Sequence, residues 1–321
     1  MKYRGLFVFI LLLTVCKAFP ITSRETSEQR DSLSLKEAPV EVRKFAGLIK
    51  ERTGFVSVIE SNMTEVISDG LTCTRITYRN TNNRQNTLYI LLADLAKGVT
   101  LLATTAKNGT DLNAKETVDQ QVMRVKERGY DVLAAVNGDV WKVDNNETDY
   151  TPVGQTYGPL YMEGLKHKDM TKEPEYYFAA ILRDGDFIIG NTAHYNNIKR
   201  CIKEAIGGQH LLVDNGKSIA SNISDQERCP RTSIGTFGLD KAVFIVVNGE
   251  VHHSASKAQG LTLQELGGIY EAIGASKAIN LDGGRSTTLL TKNHKGSLTV
   301  KKVLSNDKMR PVSNVWTIVK I

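Results

Sequence analysis

The segment from Ala278 to Leu290, Ala-Ile-Asn-Leu-Asp-Gly-Gly-Arg-Ser-Thr-Thr-Leu-Leu, constrains this chain more than any other. Two short apolar runs flank a polar centre of Asn280, Asp282, Gly283, Gly284, Arg285, Ser286 and Thr287. Runs this short, bounded by a glycine pair, suit two buried strands joined by a tight connection. Paired glycines supply positive φ and let another group approach the backbone closely. Successive N–H groups in such a turn can form an anion-binding concavity, and Arg285 adds a planar fork for phosphate or carboxylate. The same residues also read as an ordinary Asp-Gly turn with a solvated Arg, so the rest of the chain has to decide.

Strand patterns recur before this segment. Leu71 to Tyr78, Thr87 to Leu95 and Val99 to Thr105 read as neighbouring antiparallel strands, after a helix and a strand within Val40 to Ile67. Asn113 and Glu116 are suited to cap a helix whose face carries Val118, Val122 and Val125, ended by Gly129. Asp131 to Val136 is an apolar run that terminates in Asn137-Gly138-Asp139, polar residues at a strand end. Asp144 to Pro174 reads as a long substrate-facing loop. Phe178 to Leu182 and Phe187 to Ile189 bracket a hairpin turn, Asn197 to Ile206 reads as a short helix ending at Gly207-Gly208, and Leu211 to Val213 as a strand.

Val243 to Val247, Asn248-Gly249 and Glu250 to His252 read as a further hairpin. Thr262 with Glu265 makes a capping box for a helix whose apolar face is Leu263, Leu266, Ile269, Tyr270 and Ile273, closed by Gly274. Pro311 to Ile321 closes the chain with another strand. No repeat or low-complexity linker divides the sequence. The expectation is one α+β domain over 41–321, with a mixed, largely antiparallel β-sheet and flanking helices.

Lys2 and Arg4, the apolar run Leu6 to Val15 and small residues at Cys16 and Ala18 have the order of an export signal. Cleavage after Ala18 would leave Phe19 to about residue 40 as a flexible, Ser-, Thr- and Glu-rich tether. Secretion, or a periplasmic destination, follows, with the membrane reached only if Cys16 carries a lipid anchor. In an oxidising compartment Cys201 and Cys229, which flank one segment, are the expected disulfide, and Cys73 is left over. Asn62, Asn108, Asn146 and Asn222 each open an Asn-X-Ser/Thr sequon. The net charge of +6 over 321 residues is scattered rather than blocked, so nucleic acid is not an expected partner.

Four polar clusters adjoin strands: Asn137-Gly138-Asp139, Arg231-Thr232-Ser233, Asn280 to Thr287, and Arg310 to Asn314. Together they could hold a phosphate while offering carboxylates for acid–base work. Their order, with Ala205-Ile206-Gly207-Gly208, Pro230-Arg231-Thr232-Ser233-Ile234-Gly235, Gly260-Leu261-Thr262 and Asn280-Leu281-Asp282-Gly283-Gly284-Arg285-Ser286, resembles the phosphodiester glycosidase family over roughly 72–321. This chain departs from the family at Asn248-Gly249-Glu250, where Asp-Gly-Arg is usual, and at Arg285, where a third glycine is frequent.

The resemblance implies hydrolysis of a sugar-1-phosphodiester, with N-acetylglucosamine as the expected sugar. Asp282 and Asp139 are then the candidate nucleophile, base or oxocarbenium stabiliser, by analogy with paired carboxylates in other glycosidases. Asn137 and Asn280 would orient them. Arg231, Arg310 and Arg285, with Thr232, Ser286, Thr287 and the Gly283 and Gly284 amides, are the candidate substrate contacts. No cofactor is required, and a hard divalent metal between the aspartates is chemically open although no ligand spacing calls for one. Two other readings stay beside this one: an exported hydrolase of ordinary wall or exopolysaccharide glycosides, and a glycan-binding module on the same fold.

Overall fold

The computed structural model describes residues 40–141, 155–249, 260–301 and 309–321, without the side chains of 40–43. It opens with α1 (Val40–Thr53), β1 (Val56–Ser68), β2 (Leu71–Asn80) and β3 (Gln85–Asp94). Next come β4 (Val99–Thr105), α2 (Val118–Glu127) and β5 (Asp131–Asn137). Two hairpins follow, β6 (Leu160–Met162) with β7 (Leu165–Lys168), and β8 (Tyr176–Leu182) with β9 (Phe187–Gly190). α3 (Thr192–Ile198) leads into the long β10 (Ile202–Asp214) and the short β11 (Lys217–Ser218). β12 (Arg231–Thr236), β13 (Lys241–Val247), α4 (Leu263–Ile273), β14 (Lys277–Asn280), β15 (Leu289–Lys292), β16 (Leu298–Lys301) and β17 (Asn314–Lys320) complete it.

The α+β class holds, and every strand pair among the described residues is antiparallel. The strands divide between two sheets. The larger runs β1-β2-β3-β13-β12-β14-β10-β6-β7, with β8 and β11 attached at β10 and β9 paired to β8, and the smaller runs β16-β15-β5-β17-β4. Side-chain alternation explains why the two sheets stack. Along β3, Tyr89, Leu91 and Ala93 join a core that also holds Ala134 and Val136 of β5 and Trp316 and Ile318 of β17, so this core lies between the sheets. The opposite set, Leu88, Ile90 and Leu92, meets Phe45 and Ile49 of α1 and Leu266, Ile269 and Tyr270 of α4. On the far side of the smaller sheet, Val132, Ala135, Val315 and Val319 receive Val118, Val122 and Val125 of α2. The result is four layers: two helices, the large sheet, the small sheet, one helix. Strands covered on both faces carry near-continuous apolar runs.

The opening segment of the sequence crosses this sandwich. β14 belongs to the large sheet and β15 to the small one, so Ala278 to Leu290 is a bridge between layers and not a hairpin. β4 likewise leaves β3 and pairs with β17 in the small sheet.

Three helix expectations meet different outcomes. α4 forms as read: Thr262 Oγ1 accepts from Glu265 N at 3.1 Å, Glu265 Oε2 accepts from Thr262 N at 3.2 Å, and Gly274 ends it at a φ of 88°. α2 starts later than Asn113. Asn113 N is held by Asp111 Oδ1, and a two-way backbone bridge between Glu116 and Val312 keeps the chain extended until Thr117, which caps with Gln120. The helix expected over 197–206 is a strand from Ile202, and α3 lies before it, capped by Asn191. Burial on both faces at Ile202, Glu204, Ala205 and Ile206 removed the alternation that would have marked β10. The loop expected over 144–174 contains β6 and β7, joined by Glu163 and Gly164 at φ of 52° and 82°.

Cys73, Cys201 and Cys229 are all free thiols, against the expected Cys201–Cys229 bridge. Cys201 precedes β10 and Cys229 precedes β12, with β14 lying between those strands. Two strand spacings of about 4.8 Å exceed the roughly 7 Å that a disulfide spans between Cα atoms. Asn62, Asn108 and Asn222 are exposed. The signal segment 1–18, nearly all of the tether, Asn146 and the second strand of the 248–252 hairpin lie outside the described residues.

Candidate active site

Asn137 ends β5 with no exposed surface. Its Oδ1 accepts from Thr232 Oγ1 at 2.8 Å and from Thr288 N at 3.1 Å, and its Nδ2 donates to Asp282 O at 2.6 Å. One side-chain amide thus fastens the small sheet, β12 and the bridge segment together. Gly138 carries the next contacts: its N–H donates to Asn314 O at 3.0 Å and its carbonyl accepts from Asp282 N at 2.9 Å. Asn314 Oδ1 then accepts from Asp139 N at 2.7 Å. A Cβ on Gly138 would fall 2.2 Å from that Oδ1, so this clamp requires glycine.

Asp139 is 1% exposed. Its Oδ2 accepts from Gly158 N at 2.7 Å, and its Oδ1 is buried with no hydrogen-bond partner among the described residues. The edge of β10 explains how a carboxylate fits here. β14 pairs with that edge from Gln209 onward and β6 pairs with it at Ala205 and Ile206, leaving an interval at Gly207 and Gly208. Gly158 and Asp139 fill the interval: a Cβ on Gly207 would lie 2.4 Å from both Asp139 Oδ2 and Gly158 Cα. Lys168 of β7 donates to Tyr157 O at 2.9 Å and Gly158 O at 3.0 Å, beneath the same carboxylate.

Asp282 follows the end of β14 and is half-buried, with a buried and unpartnered Oδ2. Around it stand Ser286, Arg310 and Lys115. Arg310 Nη1 donates to Ser286 Oγ at 3.2 Å. Trp141, 4% exposed, meets both cations, with the Arg310 guanidinium carbon 4.6 Å and Lys115 Nζ 4.9 Å from its ring centroid.

Burial sets the protonation of this group. It pushes Asp139 up to about 7, while the Gly158 N–H, the Lys168 charge and the Val140 N–H pull back and Asp282 adds to the rise. It pushes Asp282 up to about 6, against the Ser286 hydroxyl, Arg310, the Gly283 N–H and Lys115. Lys115 is brought down to about 8, by burial first and by Arg310 second, with Asp282 opposing. Two carboxylates near neutrality are suited to proton transfer at ordinary pH.

Of the sequence candidates, Asn137, Asp139, Thr232, Asp282, Ser286 and Arg310 are joined by the contacts above. Asn280, paired between Gln209 and Ser233, has a buried, unpartnered Oδ1, and so does Thr287 at Oγ1. Buried polar atoms left unpaired are rare in folded proteins, and their gathering here marks the place a ligand would satisfy. Other candidates are used differently. Thr232 spends its hydroxyl on Asn137. The Gly284 N–H donates to Pro230 O at 2.8 Å and the Gly283 N–H serves the Asp282 carboxylate, so the expected anion cradle of amides is occupied by the protein itself. Arg231 is buried, with Nε on Leu261 O at 3.1 Å and Nη2 on Glu227 O. It fixes loops to β12, and the cations acting at Asp282 are Arg310 and Lys115. Arg285 lies half-exposed on the 284–286 turn.

Lys115, Trp141, Gly158, Lys168, Gly207 and Asn314 were not among the candidates. Asn314 stood inside a flagged cluster and Gly207 in a glycine pair read as a helix end; the others carry no local pattern. Among the described residues no three His, Cys, Asp or Glu side chains form a metal-binding group. A recess of about 560 Å³ beside Arg52, Arg228 and Glu265, on the α1 and α4 face, contains none of the site residues.

A sequence model of the phosphodiester glycosidase family matches residues 130–319. No curated protein sequence matches the chain. Among solved structures, the fold is similar to the catalytic domain of zebrafish N-acetylglucosamine-1-phosphodiester alpha-N-acetylglucosaminidase, auto-inhibited by its pro-peptide. That likeness has a TM-score of 0.60 and 19% identity, over 81% of this chain and 89% of that one. A hypothetical protein from Synechocystis matches with a TM-score of 0.56 and 13% identity, over 81% of this chain and 64% of that one. A protein described as exported, from Burkholderia pseudomallei K96243, matches with a TM-score of 0.55 and 10% identity, over 82% and 97%.

Proposed function

This chain belongs to the phosphodiester glycosidase family and is a hydrolase of that kind, and on that premise we propose that it cleaves an N-acetylglucosamine 1-phosphodiester between the anomeric carbon and the bridging oxygen. The observation that carries the reading is the meeting of Asp139 and Asp282, brought from different layers by the Asn137 and Gly138 contacts, with Arg310 at the second carboxylate. Similarity in fold to the zebrafish N-acetylglucosamine-1-phosphodiester alpha-N-acetylglucosaminidase domain supports the choice of sugar.

The chemistry divides between the two aspartates. A phosphate monoester is a stable leaving group and needs little protonation, so charge stabilisation carries the departure. Water attacks the anomeric carbon and gives its proton to Asp139, whose unpaired Oδ1 is the open acceptor. The carbon–oxygen bond to the phosphate breaks, and its electron pair leaves with the oxygen as a phosphate monoester. Asp282, kept ionised by Ser286, Arg310 and Lys115, faces the positive charge that develops at the sugar ring. The products are the free sugar and the phosphomonoester.

Both carboxylates act ionised in this scheme, so kcat/KM on the phosphodiester should climb as pH rises through about 6 and about 7. The two steps belong to the pair rather than to single residues. A rate that is highest at pH 5 and falls through 6 to 7 would mean that one carboxyl works protonated, and would overturn this division of roles. Turnover of the matched neutral glycoside should be far slower than that of the phosphodiester; the reverse order would favour an ordinary glycoside hydrolase. The basic, apolar, small-residue order of residues 2–18 supports export of the chain, and no helix among the described residues is long and apolar enough to cross a membrane.

A further inference from the structure

We propose that Lys168 is a positioning residue for Asp139, acting through the peptide group that joins Tyr157 to Gly158. The inference rests on the phosphodiesterase reading above and gives that site a cation that works one peptide away from the carboxylate.

A single planar amide links the two side chains. Its carbonyl oxygen, on Tyr157, accepts from Lys168 Nζ at 2.9 Å, and its N–H, on Gly158, donates to Asp139 Oδ2 at 2.7 Å. In a trans peptide these two ends point in opposite directions, so the ammonium and the carboxylate stand on opposite sides of it. A cation at the oxygen draws electron density from the nitrogen and makes the N–H a stronger donor, the cooperative strengthening of hydrogen bonds in series.

Strand register brings Lys168 to this place. It pairs with Leu160 across β6 and β7, and Leu160 pairs with Ile206 of β10, next to the Gly207 interval. An ammonium has three donors, and here all three have backbone acceptors: Tyr157 O, Gly158 O at 3.0 Å and Asp169 O at 3.3 Å. The gripped peptide is fixed from other directions too. Tyr157 N donates to Val140 O at 3.3 Å, and the Tyr157 ring stacks on Tyr176 with centroids 4.5 Å apart. A Cβ on Gly158 would fall 2.2 Å from Gly207 Cα, so the chain is pressed flat against β10.

The charges agree with this geometry. Asp139 and Asp169 are the carboxylates acting on Lys168. Asp169 is engaged by Lys166 Nζ at 2.6 Å and by Tyr195 Oη at 2.5 Å. Facing Asp139 are Lys168, Asp282 and the Tyr176 phenol, and Lys168 is the cation of that set. Because the relay ends at Oδ2, Oδ1 stays open. The positive charge therefore favours the ionised carboxylate without covering the oxygen that takes the proton from water. A lysine bonded directly to Oδ1 would compete with that proton.

Carbon-13 NMR titration of the Asp139 carboxyl in the full chain tests the relay, with the resonance identified by its absence in Asp139→Asn. Wild type, with a midpoint of about 7, is compared with Lys168→Met, Lys168→Gln and Lys168→Arg. The two neutral variants should move the midpoint alkaline by about one pH unit, the effect of removing a nearby opposite charge. Lys168→Arg should leave it near the wild-type value. On the phosphodiester, the neutral variants should lose about ten-fold in kcat/KM at pH 6 and recover most of it by pH 9. An unmoved midpoint in the neutral variants would overturn the proposal, and an equal loss of rate at every pH would then mark a purely structural role. Lys168→Gln keeps an N–H for the carbonyls and so carries the test should the apolar variant fail to fold. Failure of the phosphodiesterase reading is separately visible as a wild type whose Asp139 titration depends on Lys168 but which does not cleave the diester.

Discussion

Replacing Asp282 by asparagine should lower kcat on the phosphodiester by roughly 10²–10⁴, the scale of a lost carboxylate acting in the transition state. The variant should fold. Asn is nearly isosteric, Asp282 N and O would keep their bonds to Gly138 and Asn137, and Ser286 can still hydrogen-bond to an amide. Stability gives a second readout. A carboxyl whose pKa rises from 3.8 unfolded to about 6 folded binds more protons in the folded state between those values. Its contribution to stability is therefore full below 3.8 and is lost as pH climbs through about 6. Asparagine removes that dependence, so at pH 8 the variant's Tm should equal or exceed that of wild type. Near-normal turnover with a normal Tm would end the catalytic role of Asp282. A large loss of both would point to misfolding, and Asp282→Glu, which retains charge but shifts it, would then separate the two.

Gly207→Ala should be almost as damaging although residue 207 has no reactive group. The added methyl would sit 2.4 Å from Asp139 Oδ2 and 2.4 Å from Gly158 Cα, and the second contact is backbone and cannot swing aside. Either β10 moves away or the Gly158–Asp139 unit is pushed out of its interval on the sheet edge. Overpacking of this kind costs about 1–3 kcal/mol of stability. Displacing a base by about 1 Å can cost about 10²-fold in rate. Steady-state kinetics with denaturant unfolding should therefore show a stable but slow enzyme. Gly268→Ala, which meets nothing within 4 Å, is the control and should be near neutral. Wild-type kcat in Gly207→Ala would mean that Asp139 is not held where the reaction needs it.

What could be read in advance depended on how local the cause was. The α4 capping box and the apolar run before Asn137 are set within a few residues, and both formed. The polar ends of β5 and β14 were legible as clusters because polar residues at strand ends have few structural uses. Sheet membership was not legible. Ala278 to Leu290 has the same pattern whether its strands pair with each other or enter separate layers, and only the sandwich decides. β10 was misread because it is buried on both faces and carries glycines for a neighbour, Asp139, that lies 68 residues away by subtraction of 139 from 207. Lys115 and Lys168 were invisible for the same reason: an isolated lysine looks solvated until the fold shuts water away from it. Arg231 shows the opposite error, a motif residue whose guanidinium serves loop carbonyls.

In the proposed reaction this site breaks the bond between the anomeric carbon and the bridging oxygen of a sugar-1-phosphodiester. The direct measurement is hydrolysis of N-acetyl-α-glucosaminyl 1-(methyl phosphate) in ¹⁸O-labelled water, with mass analysis of both products at early times. Attack at the anomeric carbon should leave one label on the sugar hydroxyl and none on methyl phosphate, with both products lost in Asp282→Asn. Label in the phosphate, with sugar 1-phosphate or unlabelled sugar released, would place the attack at phosphorus and contradict it.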